Sequence, residues 1–351
     1  MVWYEVQRTL KSFSRAPEAR LYTQSVAARY EKLFPIFALH SNQRPRLGYM
    51  DVSGKTIIAP RFSFGLEFLE GRAPVQVGKK WRFIDDTGEW AFEGKFGNAE
   101  RLSEGLAYVI AAPRKYGFID VNGKIAVEPK YRWAAHFSEE RALVYSGKYA
   151  GFIDKQGIEV IPPKYDAASS FGEGLAPVQK GGRWGYIDRN GELLIPFQFD
   201  QPYMLPFQSG RTGIKRAGLN GFIDTSGKEV IKPRFDFAYR FTEGLASVQV
   251  GERWGYIDTA GDFAIPPLFN RGYPFSEGIA AVEVEAESGE SQTGFIDRSG
   301  EFVITPRFAL GIRFHDGICW VETKQTSGYI DRRGEYVWQC PWLQTNMVLR
   351  L

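Results

Sequence analysis

The sequence is poor in the residue types that most often carry chemistry. Its 351 residues include two cysteines, Cys319 and Cys340, in neither a CxxC nor a Cys/His spacing, so neither a disulfide framework nor a cysteine metal site is expected. The three histidines, His40, His136 and His315, lie at unrelated positions without a His/Glu cluster, which argues against zinc. A Walker loop and a GxSxG elbow are also missing. We therefore predict no metal, no cofactor and no enzymatic activity.

The chain also lacks a strong net charge and a long apolar run. Lys and Arg number 44 and Asp and Glu number 41, a net charge of +3 that does not by itself indicate nucleic acid or an anionic membrane. No apolar run approaches the length of a membrane-spanning helix, and Glu5 and Gln7 interrupt the N-terminal stretch where a signal peptide would be apolar. These features predict a cytoplasmic protein; the alternative is a protein exported by a machine that leaves no cleavable signal.

What the chain does contain is an internal repeat. The stretch RWGYIDRNGELLIP at Arg183–Pro196 returns as RWGYIDTAGDFAIP at Arg253–Pro266, and weaker copies follow the same pattern. A fixed period in this range is typical of solenoids, propellers and arrays. The aspartates that mark the copies are Asp51, Asp85, Asp120, Asp154, Asp188, Asp224, Asp258, Asp297 and Asp331, with spacings of 34, 35, 34, 34, 36, 34, 39 and 34 residues.

Each repeat has three short segments rich in β-branched and aromatic residues, which predicts three strands. The first is Gly-aromatic-Ile-Asp, the second ends at a proline such as Pro196, and the third is Glu-Gly-Leu-Ala-x-Val. Asp-x-x-Gly between the first two predicts a tight turn in which the aspartate caps backbone NH groups. The proline cannot donate to a sheet and is expected to end its strand, with a loop of about ten residues after it. The nine aspartates are therefore interpreted as turn formers.

Trp-Gly followed by Tyr-Ile-Asp, with Glu-Gly-Leu-Ala ahead of it, resembles the WG-repeat family of β-repeat proteins over roughly residues 47–342. The resemblance implies a repeat architecture and an interaction role, and no shared catalytic residues. Copy two departs from the pattern, because Arg82 follows Trp81 and the expected proline is missing. Only Trp184 and Trp254 keep the full Trp-Gly pair; the tryptophan is replaced by Leu47, Tyr116, Ala150, Asn220, Thr293 and Ser327.

The ends of the chain differ from the repeats. In 17–34, Tyr22, Val26, Tyr30 and Leu33 have helical spacing, which predicts an amphipathic helix that caps the first repeat. We expect an N-terminal helical cap over 1–46, nine repeats over 47–337 and a C-terminal cap over 338–351. The predicted fold is an all-β tandem array of about nine three-stranded meanders. An open solenoid is favoured over a closed propeller, whose blades are usually four-stranded and fewer than nine.

Residues present in every copy cannot mark one active site, so the periodic acids are interpreted as structural. The glutamates of the third segment recur in phase with basic residues after the prolines, which predicts that these charges pair with each other. The two groups are Glu70, Glu104, Glu139, Glu173, Glu243 and Glu277, and Arg61, Lys130, Lys164, Arg234 and Arg307.

Positions that differ between copies can carry specificity. The loop after the proline is rich in aromatic residues and arginine, the types that dominate interface hot spots. Stacked repeats are expected to line these side chains up as one partner-binding surface; the alternative is that the rings pack under their own loops. This loop series comprises Phe64, Trp133, Tyr203, Phe237, Tyr239, Arg240, Arg271, Tyr273 and Arg313.

The turns that join repeats carry a second, basic series. It could form a positive edge for a phosphate backbone or an acidic protein surface. The alternative is that these charges keep exposed strand edges soluble. The basic series comprises Lys79, Lys80, Arg114, Lys115, Lys180, Arg183 and Arg253.

Three functional hypotheses follow. The first is a non-enzymatic scaffold that binds another protein, for which a bacterial immunity protein or an adaptor for a secreted toxin is one instance. The second is a polymer-binding module, for nucleic acid through the basic series or for glycan through the loop aromatics. The third is an enzyme whose site the sequence does not reveal.

Overall fold

The computed structural model describes residues 32–38, 45–200, 204–286 and 288–340. In these ranges the chain is all β, and no helix occurs. The strands of the first repeats are β1 (Phe34–Ala38), β2 (Arg46–Met50), β3 (Thr56–Phe62), β4 (Phe64–Gly65), β5 (Ala73–Val77), β6 (Lys80–Ile84), β7 (Asn98–Ala99), β8 (Leu106–Ala112), β9 (Lys115–Asp120) and β10 (Ile125–Tyr131).

Later repeats have the same pattern of short and long strands. They contain β11 (Trp133–Ser138), β12 (Arg141–Ser146), β13 (Tyr149–Ile153), β14 (Glu159–Tyr165), β15 (Ala167–Ala168), β16 (Ala176–Lys180), β17 (Arg183–Ile187), β18 (Leu193–Phe199), β19 (Arg211–Arg216), β20 (Leu219–Asp224) and β21 (Glu229–Phe235). The last are β22 (Phe237–Ala238), β23 (Ala246–Val250), β24 (Arg253–Ile257), β25 (Phe263–Phe269), β26 (Arg271–Gly272), β27 (Ala280–Glu285), β28 (Ser291–Ile296), β29 (Phe302–Phe308), β30 (Leu310–Gly311), β31 (Ile318–Glu322), β32 (Ser327–Asp331) and β33 (Tyr336–Cys340).

The strands form nine separate sheets, each with its strands in consecutive order. The three-stranded sheets are β1–β3, β4–β6 and β19–β21, and the four-stranded sheets are β7–β10, β11–β14, β15–β18, β22–β25, β26–β29 and β30–β33. The strand pairs that the register describes are antiparallel, as in β16–β17, where Ala176 lies opposite Ile187. Hairpins join neighbouring strands, so each sheet is an up-and-down meander like a propeller blade.

The fourth strand comes from the segment predicted to be a loop. Only Asp166 separates β14 from β15, yet β14 pairs with β13 and β15 pairs with β16. One run of chain thus supplies an edge strand to two successive sheets. The prediction of three-stranded repeats linked by ten-residue loops is wrong for this reason.

The expected open solenoid is also wrong. In a solenoid of this kind, strands of successive repeats would continue one sheet, whereas here hydrogen bonding stays within each repeat's own sheet. Most sheets have the four strands that are usual for β-propeller blades. The chain therefore folds into blades of the β-propeller type.

The predicted N-terminal helical cap is not supported where the structure describes the chain. Residues 17–31 lie outside the described residues, and Phe34, the last residue of the predicted helix, begins a strand. β1 pairs with β2, with Phe34 opposite Met50, so a strand precedes the first repeat. At the other end, β33 occupies the first residues of the predicted C-terminal cap, and 341–351 lie outside the described residues. The domain boundaries themselves stay a prediction.

The chain divides into two compact units, each with a core between its sheets. The first unit comprises residues up to Val109 together with Ile119–Lys124, and the second comprises Ile110–Phe118 and the residues from Ile125 onward. Buried side chains of consecutive repeats pack together in the second unit, as Phe152 and Tyr165 of one sheet do with Phe171 and Val178 of the next. Trp184 is 4% exposed and belongs to such a core, so this tryptophan serves packing.

The glycine of the Trp-Gly pair lets two backbones approach closely. A Cβ on Gly185 would lie 2.5 Å from the carbonyl oxygen of Ile195, where β18 passes. In copy two, Arg82 occupies this position, and the segment that follows forms isolated bridges through Trp90 and Phe96 instead of a full strand. The departure in sequence therefore coincides with the loss of the fourth strand in this sheet, as expected where a side chain prevents the close approach of the next strand.

Candidate interaction surface

The nine aspartates cap turns, as predicted. In the hairpin between β17 and β18, Asp188 Oδ1 accepts hydrogen bonds from the NH groups of Asn190 at 2.9 Å and Glu192 at 2.8 Å. In the equivalent turn of a later repeat, the hydroxyl of Ser226 also donates to Asp224 Oδ1, and this bond holds the pKa of Asp224 below its usual value. These carboxylates accept hydrogen bonds from their own turns, which explains why the aspartate recurs in every repeat.

The repeated glutamates join successive repeats within each unit. Glu243 has a φ of 52° and Glu139 a φ of 53°, and each points its carboxylate at the next repeat's Glu-Gly turn. Their Oε2 atoms accept hydrogen bonds from the NH groups of Gly278 and Gly174, both at 2.9 Å. The same bond links Glu70 to Gly105, Glu173 to Gly210 and Glu277 to Gly317.

The basic residues after the prolines make a different link. Arg61, Arg234 and Arg307 donate to the carbonyl oxygens of turn glycines 27 residues later, in the next repeat. The predicted pairing of this group with the periodic glutamates is wrong for these three. The acceptors of these arginines are instead backbone carbonyl oxygens in the Asp-x-x-Gly turn of the next repeat.

Four residues of the loop series meet at one pocket in the second unit. Tyr239 and Arg240, Tyr273, and Arg313 come from three successive repeats and line a cavity of about 600 Å³. We call it the tyrosine–arginine pocket. Its remaining lining residues are Gln208, Thr242, Glu243, Pro274, Phe275, Ser276 and Ile312.

The pocket walls are held by aromatic packing and hydrogen bonds. Tyr239 packs between Phe237 and Trp254, with ring centroids at 5.1 and 5.5 Å. Tyr273 donates its hydroxyl to Glu283 Oε1 at 2.7 Å, and its burial together with that bond raises the pKa of Tyr273. A hydrogen bond with Tyr239 raises the pKa of Arg271, whose guanidinium lies 5.4 Å from the ring of Tyr273. Tyr273 therefore stays neutral at ordinary pH, and the ring contacts of Tyr239 hold its side chain in place.

The repeats match one known family over most of the chain. The family described as "WG containing repeat" matches residues 48–81, 81–110, 116–148, 151–184, 184–219, 221–254, 254–286 and 294–325. The chain belongs to this family.

Other likenesses of this WG-repeat protein are distant. No curated protein matches it. BamB from Moraxella catarrhalis is 12% identical, with 78% of this chain and 80% of that chain covered and a TM-score of 0.36. PorZ, a surface component of the type-IX secretion system of Porphyromonas gingivalis, is 12% identical over 89% of this chain and 50% of that chain, with a TM-score of 0.32. Hsv2p of Kluyveromyces lactis is 10% identical, with 64% of this chain and 89% of that chain covered and a TM-score of 0.40. These scores are too low to support a function.

Phe237 and Arg271 contact the tyrosines of the tyrosine–arginine pocket, whereas Phe64 and Trp133 do not line it. Phe64 is half-buried against Trp81 in the first unit, at a centroid distance of 5.8 Å, so the alternative of packing under its own loop holds there. Trp133 is 41% exposed and lines a separate cavity. Tyr203 lies outside the described residues. Whether any of the series binds a partner stays a prediction.

All seven residues of the basic series are exposed, at hairpin turns between the second and third strands of their sheets. Arg114 lines the same cavity as Trp133, and Arg253 donates to the side chain of Asn270. A role in polymer binding stays a prediction for the series as a whole.

Sequence reasoning missed several lining residues. Glu243 lines the tyrosine–arginine pocket although its periodicity marked it as structural, and Ser276 lines it without having been singled out. Arg132 and Tyr145 line the cavity of Trp133 and were not singled out. The sequence does distinguish Arg132, because two later repeats have an aspartate at the equivalent position, Asp166 and Asp236, and a change of charge sign between copies marks a position that the scaffold does not fix.

The described ranges also bear on metal binding and on membrane spans. There, no three His, Cys, Asp or Glu side chains are grouped so that they could hold a metal ion. No helix of sufficient length and apolar character to cross a membrane occurs in that part of the chain. Both cysteines are buried and form no disulfide, and burial raises the pKa of Cys319 to about 12.

Proposed function

We propose that this WG-repeat protein is a non-enzymatic scaffold that binds another protein at the tyrosine–arginine pocket. The observation that supports the proposal most is the convergence of Tyr239, Arg240, Tyr273 and Arg313 from three repeats on one cavity of about 600 Å³. Tyrosine and arginine are the residue types enriched in interface hot spots, and pockets that exclude water are where hot spots lie.

The charges at the pocket indicate the chemistry of the partner. Arg240 and Arg313 are exposed and form no ion pair with a carboxylate of the described chain. The one carboxylate in the lining, that of Glu243, already accepts a hydrogen bond from Gly278. An acidic segment of a partner, with an aromatic or aliphatic side chain that enters between Tyr239 and Tyr273, would satisfy both arginines.

A sequestering role in a bacterium, as an immunity protein or as an adaptor for a secreted toxin, belongs to the same proposal. So does a cytoplasmic location, with which two buried cysteines that form no disulfide are compatible. The support for the scaffold itself is independent of these two points, because it depends only on the pocket.

The test combines capture from the native host with reconstitution. The tagged wild-type protein and the triple variant Tyr239→Ala/Tyr273→Ala/Arg313→Ala are used as baits, and retained proteins are identified by mass spectrometry. A candidate partner is then purified and its dissociation constant measured for both proteins by calorimetry. We expect the triple variant to weaken binding at least about 100-fold, since hot-spot truncations cost about 2 kcal/mol or more each.

A control variant removes exposed apolar surface elsewhere in the second unit. Leu193→Ala/Leu194→Ala changes two side chains of β18 that are 46% and 54% exposed and do not line the pocket. Thermal unfolding confirms that both variants are folded. Equal loss in the control, or full binding by the triple variant, would show that the pocket is not the partner site.

A further inference from the structure

A second cavity lies at the start of sheet β11–β14 and is separate from the tyrosine–arginine pocket. Its volume is about 400 Å³, and Trp133 and Tyr145 form its aromatic side. Arg114, Arg132 and Lys148 form its basic side, and Gly147 completes the lining. We call it the Trp133 cavity. All of its lining residues belong to the second unit.

The aromatic side presents an exposed ring on a rigid support. Trp133 lies directly opposite Tyr145 on neighbouring strands, and the ring centroids are 5.7 Å apart at an interplanar angle of 81°. Tyr145 is half-buried, whereas Trp133 keeps 41% of its surface exposed. An edge-to-face contact of this kind fixes the indole and leaves ring surface on which a planar group can stack.

The basic side holds three cations without a carboxylate partner in the described chain. Arg132 Nη1 donates to the carbonyl oxygen of Gly147 at 3.4 Å, and Lys148 Nζ lies 4.9 Å from the ring centroid of Tyr149. Neither contact neutralises a positive charge. Three unpaired cations around one cavity produce a local positive potential that favours a multiply charged anion.

Equivalent positions in other repeats show that this arrangement is specific to one place. In two later repeats the position of Arg132 is occupied by Asp166 and Asp236, whose carboxylates accept hydrogen bonds from the hairpin NH groups of Gly181 and Gly251. The positions of Trp133 and Tyr145 are Ala167 and Gln179 in the next repeat. The turn position of Lys148 is glycine there, at Gly182. The scaffold therefore requires neither the cations nor the ring pair of the Trp133 cavity.

We propose that the Trp133 cavity binds a nucleotide, with the base stacked on Trp133 and the phosphates held by Arg114, Arg132 and Lys148. Aromatic side chains stack on any base because every base has a π-face. Guanidinium groups bind phosphate oxygens through paired NH donors, and lysine adds a point charge. The same chemistry is offered by a free nucleotide and by a nucleotide of a single strand, so the test includes both. The proposal uses none of the residues of the tyrosine–arginine pocket.

The probes are ATP, adenosine, inorganic pyrophosphate and a single-stranded oligonucleotide of about ten residues, a length within the usual site size. Binding to the full-length protein is measured by isothermal titration calorimetry at about 50 mM salt and repeated at about 200 mM salt. We expect ATP or the oligonucleotide to bind, adenosine and pyrophosphate each to bind at least about tenfold more weakly, and affinity to fall as salt rises.

Two variants locate the site. Arg132→Asp introduces the residue that two later repeats have at this position. The hairpin glycine that faces it has the same conformation in both places, with a φ of 61° at Gly147 and 60° at Gly181. The substitution therefore reverses the charge at a position where the fold accepts aspartate. Trp133→Ala installs the residue found at Ala167. Each variant is expected to weaken nucleotide binding about tenfold or more. Lys232→Ala removes one exposed lysine of β21 that lines neither cavity, and this control should bind like the wild type.

Each outcome decides the proposal. Binding of ATP that is lost in Arg132→Asp and Trp133→Ala supports a nucleotide site, and binding of the oligonucleotide alone supports the same site with a single strand as the source. Pyrophosphate that binds as tightly as ATP would show a general anion site and overturn the nucleotide. No binding of ATP or oligonucleotide at low salt, or binding that both variants retain, would also overturn it.

Discussion

The carboxylate of Glu243 accepts a hydrogen bond from the backbone NH of Gly278, 35 residues further along the chain and in the next repeat. Glu243 adopts a positive φ of 52° to reach that NH, and Gly278 lies in the equivalent turn with a φ of 77°. The side chain of one turn therefore fixes the backbone of the next. A glutamate that recurs along the chain is explained by this link between neighbouring repeats, not by catalysis.

Glu243→Ala is expected to lower the free energy of unfolding by about 1 kcal/mol, because it leaves the NH of Gly278 without its acceptor while the positive φ remains. Chemical denaturation of the purified protein measures this loss. Glu243→Gln keeps an acceptor oxygen and should lose less. Equal losses in the two variants would mean that the charge, not the hydrogen bond, stabilises the link.

Gly185→Ala is expected to destabilise the protein by about 1–3 kcal/mol, because the new Cβ would lie 2.5 Å from the carbonyl oxygen of Ile195 and force β17 away from β18. Thermal unfolding followed by circular dichroism measures the change. Gly213→Ala is the matched control, since Gly213 is also within a strand but a Cβ there would meet nothing within 4 Å.

The control variant Gly213→Ala should be neutral or slightly stabilising, because alanine lowers the entropy of the unfolded chain. Similar destabilisation by both substitutions would contradict the close-approach explanation of the Trp-Gly pair. It would indicate instead that any side chain is harmful in these strands.

The turn aspartates predict a stability that depends on pH. The hydroxyl of Ser226 and two backbone NH groups hold the pKa of Asp224 below the value of 3.8 that applies in an unfolded chain. A carboxyl whose folded pKa is lowered stabilises the fold above the unfolded pKa, and this contribution is lost as pH falls through the folded pKa. The difference in melting temperature between wild type and Asp224→Ala should therefore be constant from about pH 5 to 7 and narrow below about pH 4.

Melting curves across this range test the titration of Asp224. The difference between wild type and Gly185→Ala provides the control, because a steric effect has no reason to follow the protonation of one carboxyl. A difference for Asp224→Ala that stays unchanged down to pH 2 would show that the ionised carboxylate does not stabilise the turn.

Cys319 is expected to be unreactive in the folded protein. Its side chain is 2% exposed, and burial raises its pKa to about 12, so the thiolate is scarcely populated near neutral pH. In the variant Cys340→Ser, a thiol reagent should modify Cys319 only in denaturant or at the rate of global unfolding. Fast modification under native conditions would show that this core opens locally.

The candidate site was only partly predictable from the sequence. The loop series named Tyr239, Arg240, Tyr273 and Arg313 because aromatic residues and arginine replaced one another between copies. The sequence did not predict that these four meet while Phe64 packs against Trp81, since both outcomes follow from the same residue types. Arg132 was missed because its place in the Trp133 cavity depends on its contact with the hairpin at Gly147, which is 15 residues away in the sequence.

The sequence by itself determined the period, the β-strands and the capped Asp-x-x-Gly turns, because these depend on residues close together in the chain. Only the tertiary structure decided that the residues after the proline form an edge strand of the next sheet, as Ala167 does beside Val178 and Gln179. That short strand has no periodicity of its own, since it is stabilised by hydrogen bonds to a partner strand about ten residues away. Because this short strand pairs within one sheet, each sheet is separate, and the repeats form blades rather than the coils of a solenoid.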